Sequence, residues 1–183
     1  MSAIIEAHYF HRRVTEQMRL FIAINFTENV RLALHDTMIT MKRQNILGRF
    51  TPPENLHLTL AFIGETTRTD EIINIIDSLD ATAFNITLGG YGNFAALYWV
   101  GIRPNNTLER LTLELKNTLR IGGFPIEERP FKPHITLVRN AFSDKPISIS
   151  FPDTKMRVHR ISLMKSEQIN DRTVYTEIYG RDI

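Results

Sequence analysis

The chain has 183 residues, a formal net charge of +2 and 43% apolar residues, the composition of an ordinary globular protein rather than a fibrous, disordered or polybasic one. It has no cysteine, which excludes disulfides, thiolate metal sites and thiol nucleophiles and sets a cytoplasmic expectation. No apolar run approaches the roughly 18 to 20 residues that cross a bilayer, and the N-terminus has no apolar core of the secretory kind, so no membrane partner is expected.

Residues 1–17 show no clean apolar period and read as a flexible extension ahead of one bilobal domain over 18–183. Residues 20–26 (LFIAINF) form a continuous apolar run with β-branched and aromatic members, which predicts a strand buried on both faces. From Glu28 to about Gln44, Val30, Leu34, Met38 and Met41 recur at helical spacing behind Thr27, a good N-cap residue. After Pro52-Pro53, residues 56–63 read as a strand, and Asp70 is the predicted cap of a second helix with Ile72, Ile73, Ile76 and Leu79 inward. Residues 84–90 and 95–102 flank Tyr91-Gly92-Asn93, whose turn chemistry predicts a hairpin with Trp99 in the core. A third helix, from about Asn106 to Arg120, places Leu108, Leu111, Leu115 and Leu119 on one stripe before Gly122-Gly123. Residues 134–139 follow Pro130 and Pro133 as a strand, and 147–151, 156–164 and 173–179 alternate as three more.

The two halves repeat imperfectly. Each has a helix, a proline-marked connection and a strand that begins with histidine: PPENLHLTL and RPFKPHITL. The expected fold is therefore α+β, with two pseudo-symmetric lobes, each a mostly antiparallel sheet with helices packed outside, around a central cleft.

His57-Leu58-Thr59-Leu60 and His134-Ile135-Thr136-Leu137 carry the chemistry. Side chains alternate along a strand, so each histidine shares a face with its threonine while the apolar pair faces the core. With 18 threonines in the chain, a bare His-x-Thr arises for roughly one histidine in ten. His35-Asp36-Thr37 is such an accident, on a predicted helix where residues two apart diverge. Requiring apolar second and fourth positions lowers the chance of a double occurrence to about 0.5%. The bland alternative is a half-buried histidine bonded to a nearby backbone carbonyl.

Cleaving a strained phosphodiester needs a base for the attacking water and an acid for the leaving oxygen, and imidazole serves either role near neutral pH. Threonine hydroxyls on the same face can donate to the phosphoryl oxygens as charge develops. A metal site would normally recruit a third histidine or a carboxylate, and the flanks of both motifs supply neither.

Together MRLFIAI at 18–24, HLTLAFIGE at 57–65, YWVG at 98–101 and RPFKPHITLVR at 129–139 resemble the LigT-like RNA 2′,3′-cyclic phosphodiesterases of the two-histidine phosphoesterase superfamily, over essentially Met18 to the C-terminus. The resemblance implies motifs facing each other across a cleft and hydrolysis of RNA 2′,3′-cyclic phosphate ends to 2′-phosphates. His57 would be the proton donor, His134 the acceptor, and Thr59 and Thr136 the phosphate holders, with no metal or other cofactor. The expected partners of this monomer are RNA ends or nucleoside 2′,3′-cyclic phosphates. The same pair run in reverse, with a ribose hydroxyl for water, joins 2′-5′ RNA linkages.

Arg139 matches a family arginine that lines the nucleotide site. Strict alternation puts it opposite His134, so it reaches the cleft only if the strand ends or bulges near Val138. The equivalent position in the first motif is Phe62. Phe131 has two readings, stacking on a base or packing in the core. Lys132, Arg129 and Arg49 either add positive potential beside the phosphate or are solvated. His8 and His11, in the extension, have no assigned role. The rival functions are a phosphodiesterase for small cyclic nucleotides or 2′-5′ oligonucleotides, an idle RNA-binding or protein-interaction module, and a metal-dependent hydrolase.

Overall fold

The computed structural model describes residues 16–183, so the predicted extension lies almost wholly outside the described residues. The strands are β1 (Met18–Asn25), β2 (Leu47–Phe50), β3 (His57–Thr66), β4 (Phe84–Phe94), β5 (Leu97–Ile102), β6 (His134–Phe142), β7 (Lys155–Val158), β8 (Arg160–Ile169) and β9 (Arg172–Asp182). The helices are α1 (Glu28–Arg43), α2 (Thr69–Ser78) and α3 (Asn106–Ile121), with a 3₁₀ turn over Pro53–Asn55.

One sheet has the order β3-β1-β8-β9 and the other β2-β6-β5-β4-β7, with every pair antiparallel. The orders β3-β1-β8-β9 and β6-β5-β4-β7 correspond strand for strand, which is the expected pseudo-symmetry, and β2 is added outside β6. Strands β3 and β6 lie side by side where the sheets meet. Helix α1 lies against β6 and α3 against β3, so each half's helix backs the other half's motif strand.

The helical stripes go where their spacing sends them. Val30, Leu34, Met38 and Met41 of α1 and Leu108, Leu111, Leu115 and Leu119 of α3 are buried in one apolar cluster with Leu20, Ile22 and Ile24 of β1. The opposite face of β1 buries Phe21 and Ala23 against Met164, in a small second cluster on the cleft side. Helix α3 is capped by the Asn105 side chain, which accepts from the Leu108 amide at 2.9 Å.

Four local expectations are corrected. Helix α2 begins at Thr69 behind Arg68, so Asp70 is not its cap. Asp70 and Glu71 instead occupy the first turn, where carboxylates suit the helix dipole. The hairpin turn is not at Tyr91-Gly92-Asn93, because β4 continues to Phe94 and the chain reverses at Ala95-Ala96. Residues 147–151 do alternate, burying Ile149, but pair with no strand, since β7 occupies the edge of β4. The predicted strand over 156–164 breaks at His159, where the chain leaves one sheet as β7 and joins the other as β8. Strand β2 had no periodic signal because it is a short, mostly exposed edge.

Gly92 has a packing role instead of a turning one. A Cβ there would stand 2.6 Å from Cζ2 of Trp99, the residue paired with Gly92 across the hairpin. Gly92→Ala should destabilise the fold by about 1–3 kcal/mol through overpacking. At this chain length the melting temperature should fall by about 2–4 °C per kcal/mol in thermal unfolding. An unchanged melting temperature would mean that the indole is free to move.

Candidate active site

Each motif histidine opens its strand behind a proline-marked turn. The 3₁₀ turn before β3 is pinned by Asn55, whose buried side chain donates to the Thr173 carbonyl of β9 at 2.8 Å. The carbonyl of Asn55 then accepts from Nδ1 of His57 at 2.7 Å. In the other lobe, across Pro133, the Lys132 carbonyl accepts from Nδ1 of His134, also at 2.7 Å. A carbonyl can only accept, so both Nδ1 atoms carry hydrogen and Nε2 is each ring's available atom. The bland reading of a strand-opening histidine bonded to a carbonyl is thus part of the site's construction.

On the four-stranded sheet, His57 pairs with Asn25 and Thr59 with Ala23. Nε2 of His57 and Oγ1 of Thr59 are 3.0 Å apart. With His57 neutral the hydroxyl donates to Nε2; with the ring protonated the direction reverses and the hydroxyl hydrogen is freed for another acceptor. Phe21 and Tyr175 flank the ring with centroids at 4.8 and 5.1 Å. On the other sheet, Thr136 pairs with Trp99 and His134 with Gly101. Phe94 and Trp99 stand edge-on to the His134 ring at 5.2 and 6.3 Å. Trp99 is therefore buried on the cleft face, beside Thr136, rather than in the main core.

The same irregularity follows both motifs. Ala23 pairs with Thr59 but Ile22 with Ala61, leaving Leu60 as an extra residue. Trp99 pairs with Thr136 but Tyr98 with Val138, leaving Leu137 extra. Both bulged leucines are the fourth residue of their motif and both are buried. A one-residue bulge reverses the subsequent alternation. Ala61 and Val138 turn into the core, and Phe62 and Arg139 emerge on the cleft side. The condition set by alternation for Arg139 is therefore met.

Arg139 acts electrostatically on His57. Burial is the first cause holding the His57 imidazole below its ordinary value; the Asn55 carbonyl opposes it, and the charges of Arg139 and His134 add to the lowering. His57 and His134 open the neighbouring strands β3 and β6, and the bulge puts Arg139 on the same face of β6 as His134. Phe131 is half-buried against the main core, and the rings touching His134 come from elsewhere. Arg129 is engaged by Glu127. Lys132 lies 4.7 Å from the Trp99 ring centroid and 5.2 Å from that of Phe94. A cavity of about 480 Å³ beside Gly89, Arg103 and Phe151 contains neither histidine. Among the described residues no group of three or more His, Asp or Glu side chains could hold a metal ion.

Sequence reasoning missed Phe21, Tyr175 and Phe94, because aromatics without a motif look like core. It also missed Asn55, whose only signal is its place two residues before His57.

Two antiparallel sheets that present His-Thr strands to a shared cleft define a two-histidine phosphoesterase. The sequence profile of the 2′-5′ RNA ligase superfamily matches residues 40–170, and the chain belongs to that family. It is similar to RNA 2′,3′-cyclic phosphodiesterases from Thermotoga maritima and Escherichia coli, each 30% identical, over 177 and 170 residues. Those alignments cover 88% and 90% of this chain and 94% and 96% of the relatives. The crystal structure of Escherichia coli LigT with 3′-AMP matches with a TM-score of 0.83 at 29% identity, covering 92% of this chain and 99% of that one.

The lowered His57 value links stability to pH. The unfolded chain binds the proton more readily, so this contribution to stability is complete above the ordinary value of about 6.5 and is lost as pH falls through the folded one. NMR titration of the ligand-free protein should give a His57 midpoint below that of a model histidine. Arg139→Gln should raise it; an unmoved midpoint would remove Arg139 from the neighbourhood of His57.

Proposed function

We propose that this protein hydrolyses 2′,3′-cyclic phosphate ends of RNA to 2′-phosphates, with His57 as proton donor and His134 as acceptor. The observation that carries the reading is the matched pair of imidazoles, each fixed by its Nδ1–carbonyl bond, on the two motif strands that meet at one cleft. Names of relatives from several organisms support the same substrate.

Nε2 of His134 takes a proton from water as the water oxygen attacks phosphorus. The P–O3′ bond breaks in line, and O3′ receives the proton held on Nε2 of His57, giving a 2′-phosphomonoester and a free 3′-hydroxyl. His57 must enter the reaction charged although burial disfavours that state, and the bound phosphodiester anion offsets the charges of Arg139 and His134 that oppose it. Protonation also reverses the His57–Thr59 hydrogen bond, freeing the threonine hydroxyl to donate to a non-bridging oxygen while Thr136 does the same from the other strand. Arg139 adds positive potential beside the same anion. The scheme uses no metal or other cofactor.

The same reading takes residues 18–183 as one bilobal domain, supported by the apolar core that draws on both sheets and all three helices. It takes the protein as a monomer at work in the cytoplasm; no helix among the described residues is long and apolar enough to cross a membrane.

Purified protein incubated in EDTA with an RNA ending in a 2′,3′-cyclic phosphate should yield the 2′-phosphate, identified by NMR. A 3′-phosphate would reject the assigned leaving oxygen, and silencing by EDTA would reject the mechanism. His57→Ala and His134→Ala should each abolish turnover in a folded protein, and near-normal rates in either would sink the scheme. Thr59→Ala or Thr136→Ala should lower kcat by roughly one to three orders of magnitude, as when one donor to a developing anion is lost.

A further inference from the structure

The cleft face of the β2–β6 ladder continues past His134 and Thr136, and hydrolysis at a cyclic phosphate does not account for what it carries. Arg49 of β2 is the cross-strand partner of Arg139. Their neighbours Phe50 and Val138 pair with each other and pack with the core, so both arginines leave the ladder on the cleft side. Like charges directly opposite on adjacent strands repel. Neither arginine forms an ion pair among the described residues. Further along β6, Phe142 pairs with Leu47, and these side chains are 61% and 63% exposed. Ala141 packs against the core, which puts Phe142 on the same side as Arg139.

The order along the β2–β6 ladder is therefore His134 with Thr136, dication, exposed aromatic. Thr136 and Arg139 are three residues apart with one of them bulged out, a span of about 7–10 Å at normal strand rise. That is of the order of one nucleotide step. A single-stranded RNA supplies the matching chemistry, with an anionic linkage at each step and a base face for stacking. The pseudo-symmetric position in the other lobe is different: Phe62 is there instead of an arginine, with the Arg19 guanidinium 5.1 Å from its ring centroid. Among the described residues, paired cations face each other on this side of the cleft and not on the other.

We propose that Arg49, together with Arg139, holds the phosphodiester immediately upstream of the cyclic phosphate, making the β2–β6 face the track by which the enzyme distinguishes an RNA end from a free nucleoside cyclic phosphate. The proposal rests on the cyclic phosphodiesterase reading for the terminal phosphate. It adds a second, non-reacting phosphate and assigns Arg49 as a specificity residue.

Fluorescence anisotropy reads this clamp without turnover. The probes are a 5′-labelled RNA trinucleotide ending in a 2′-phosphate and the same trinucleotide with uncharged methylphosphonate internal linkages. The unsubstituted protein should bind the charged probe about tenfold more tightly. Arg49→Gln should reduce that preference to about threefold or less, and Arg49→Lys should restore part of it. Arg49→Gln should also flatten the dependence of log affinity on log salt by about 0.7, the value for one lost phosphate contact to a single strand.

In turnover, the ratio of kcat/KM for a trinucleotide cyclic phosphate to that for a nucleoside 2′,3′-cyclic phosphate should fall about three- to tenfold in Arg49→Gln. A charge preference left undiminished by Arg49→Gln, or an equal fall on both substrates, overturns the proposal. An unsubstituted protein that prefers the charged probe yet turns over neither substrate refutes the hydrolase reading and leaves the clamp standing. Turnover of both substrates with no charge preference refutes the clamp alone.

Discussion

The site depends on one hydrogen bond made twice: Nδ1–H of a strand-opening histidine to the carbonyl two residues upstream, 2.7 Å in both lobes. That bond selects the tautomer, fixes the ring plane and leaves Nε2 for chemistry. It requires a turn that aims a carbonyl back at the first residue of the strand, which is why both histidines follow prolines. On the His57 side the turn is itself pinned to β9 through Asn55, so the last strand of the chain takes part in orienting a ring in its first third.

The second constraint is the bulge at the fourth motif residue. Without it, the positions after each motif would keep strict alternation and Arg139 would point into the core, where an unpaired charge is very costly. With it, two consecutive residues, Leu137 and Val138, are buried and the next returns to the cleft. Leu60 and Ala61 do the same in the other lobe. A duplicated backbone thus presents two equivalent positions, and the side chains there, Arg139 and Phe62, make the halves chemically different.

Charge is distributed by the same geometry. The chain as a whole carries only +2, yet Arg19, Arg49, Lys132 and Arg139 form no ion pairs among the described residues. All four lie on or beside the cleft faces of the two sheets. The acidic Glu177, on the His57-bearing face of its sheet, is itself neutralised by Arg160, which also pairs with Asp182. A nearly neutral protein can in this way keep a locally positive cleft for an anionic substrate. The local field also pushes on its own machinery, since the charges that favour phosphate disfavour protonation of His57.

The sequence by itself determined the helices, the motif strands and the His-Thr pairing, because 3.6- and 2-residue periodicities are local and the repeat sits within short segments. It also posed the question of Arg139 correctly, since alternation is a rule that only a bulge can break. Which strands pair was decided elsewhere. Residues 147–151 have a strand's pattern and no partner, while Leu47–Phe50 have no pattern and become β2 because β6 offers an edge. Trp99 reads as core in any apolar strand, and only the register that sets it opposite Thr136 turns it to the cleft. The seat of aromatics around each histidine and the facing of Arg49 on Arg139 have the same origin. They join residues far apart in the chain, and hydrogen-bond register between strands is a property of the folded sheet, not of any one segment.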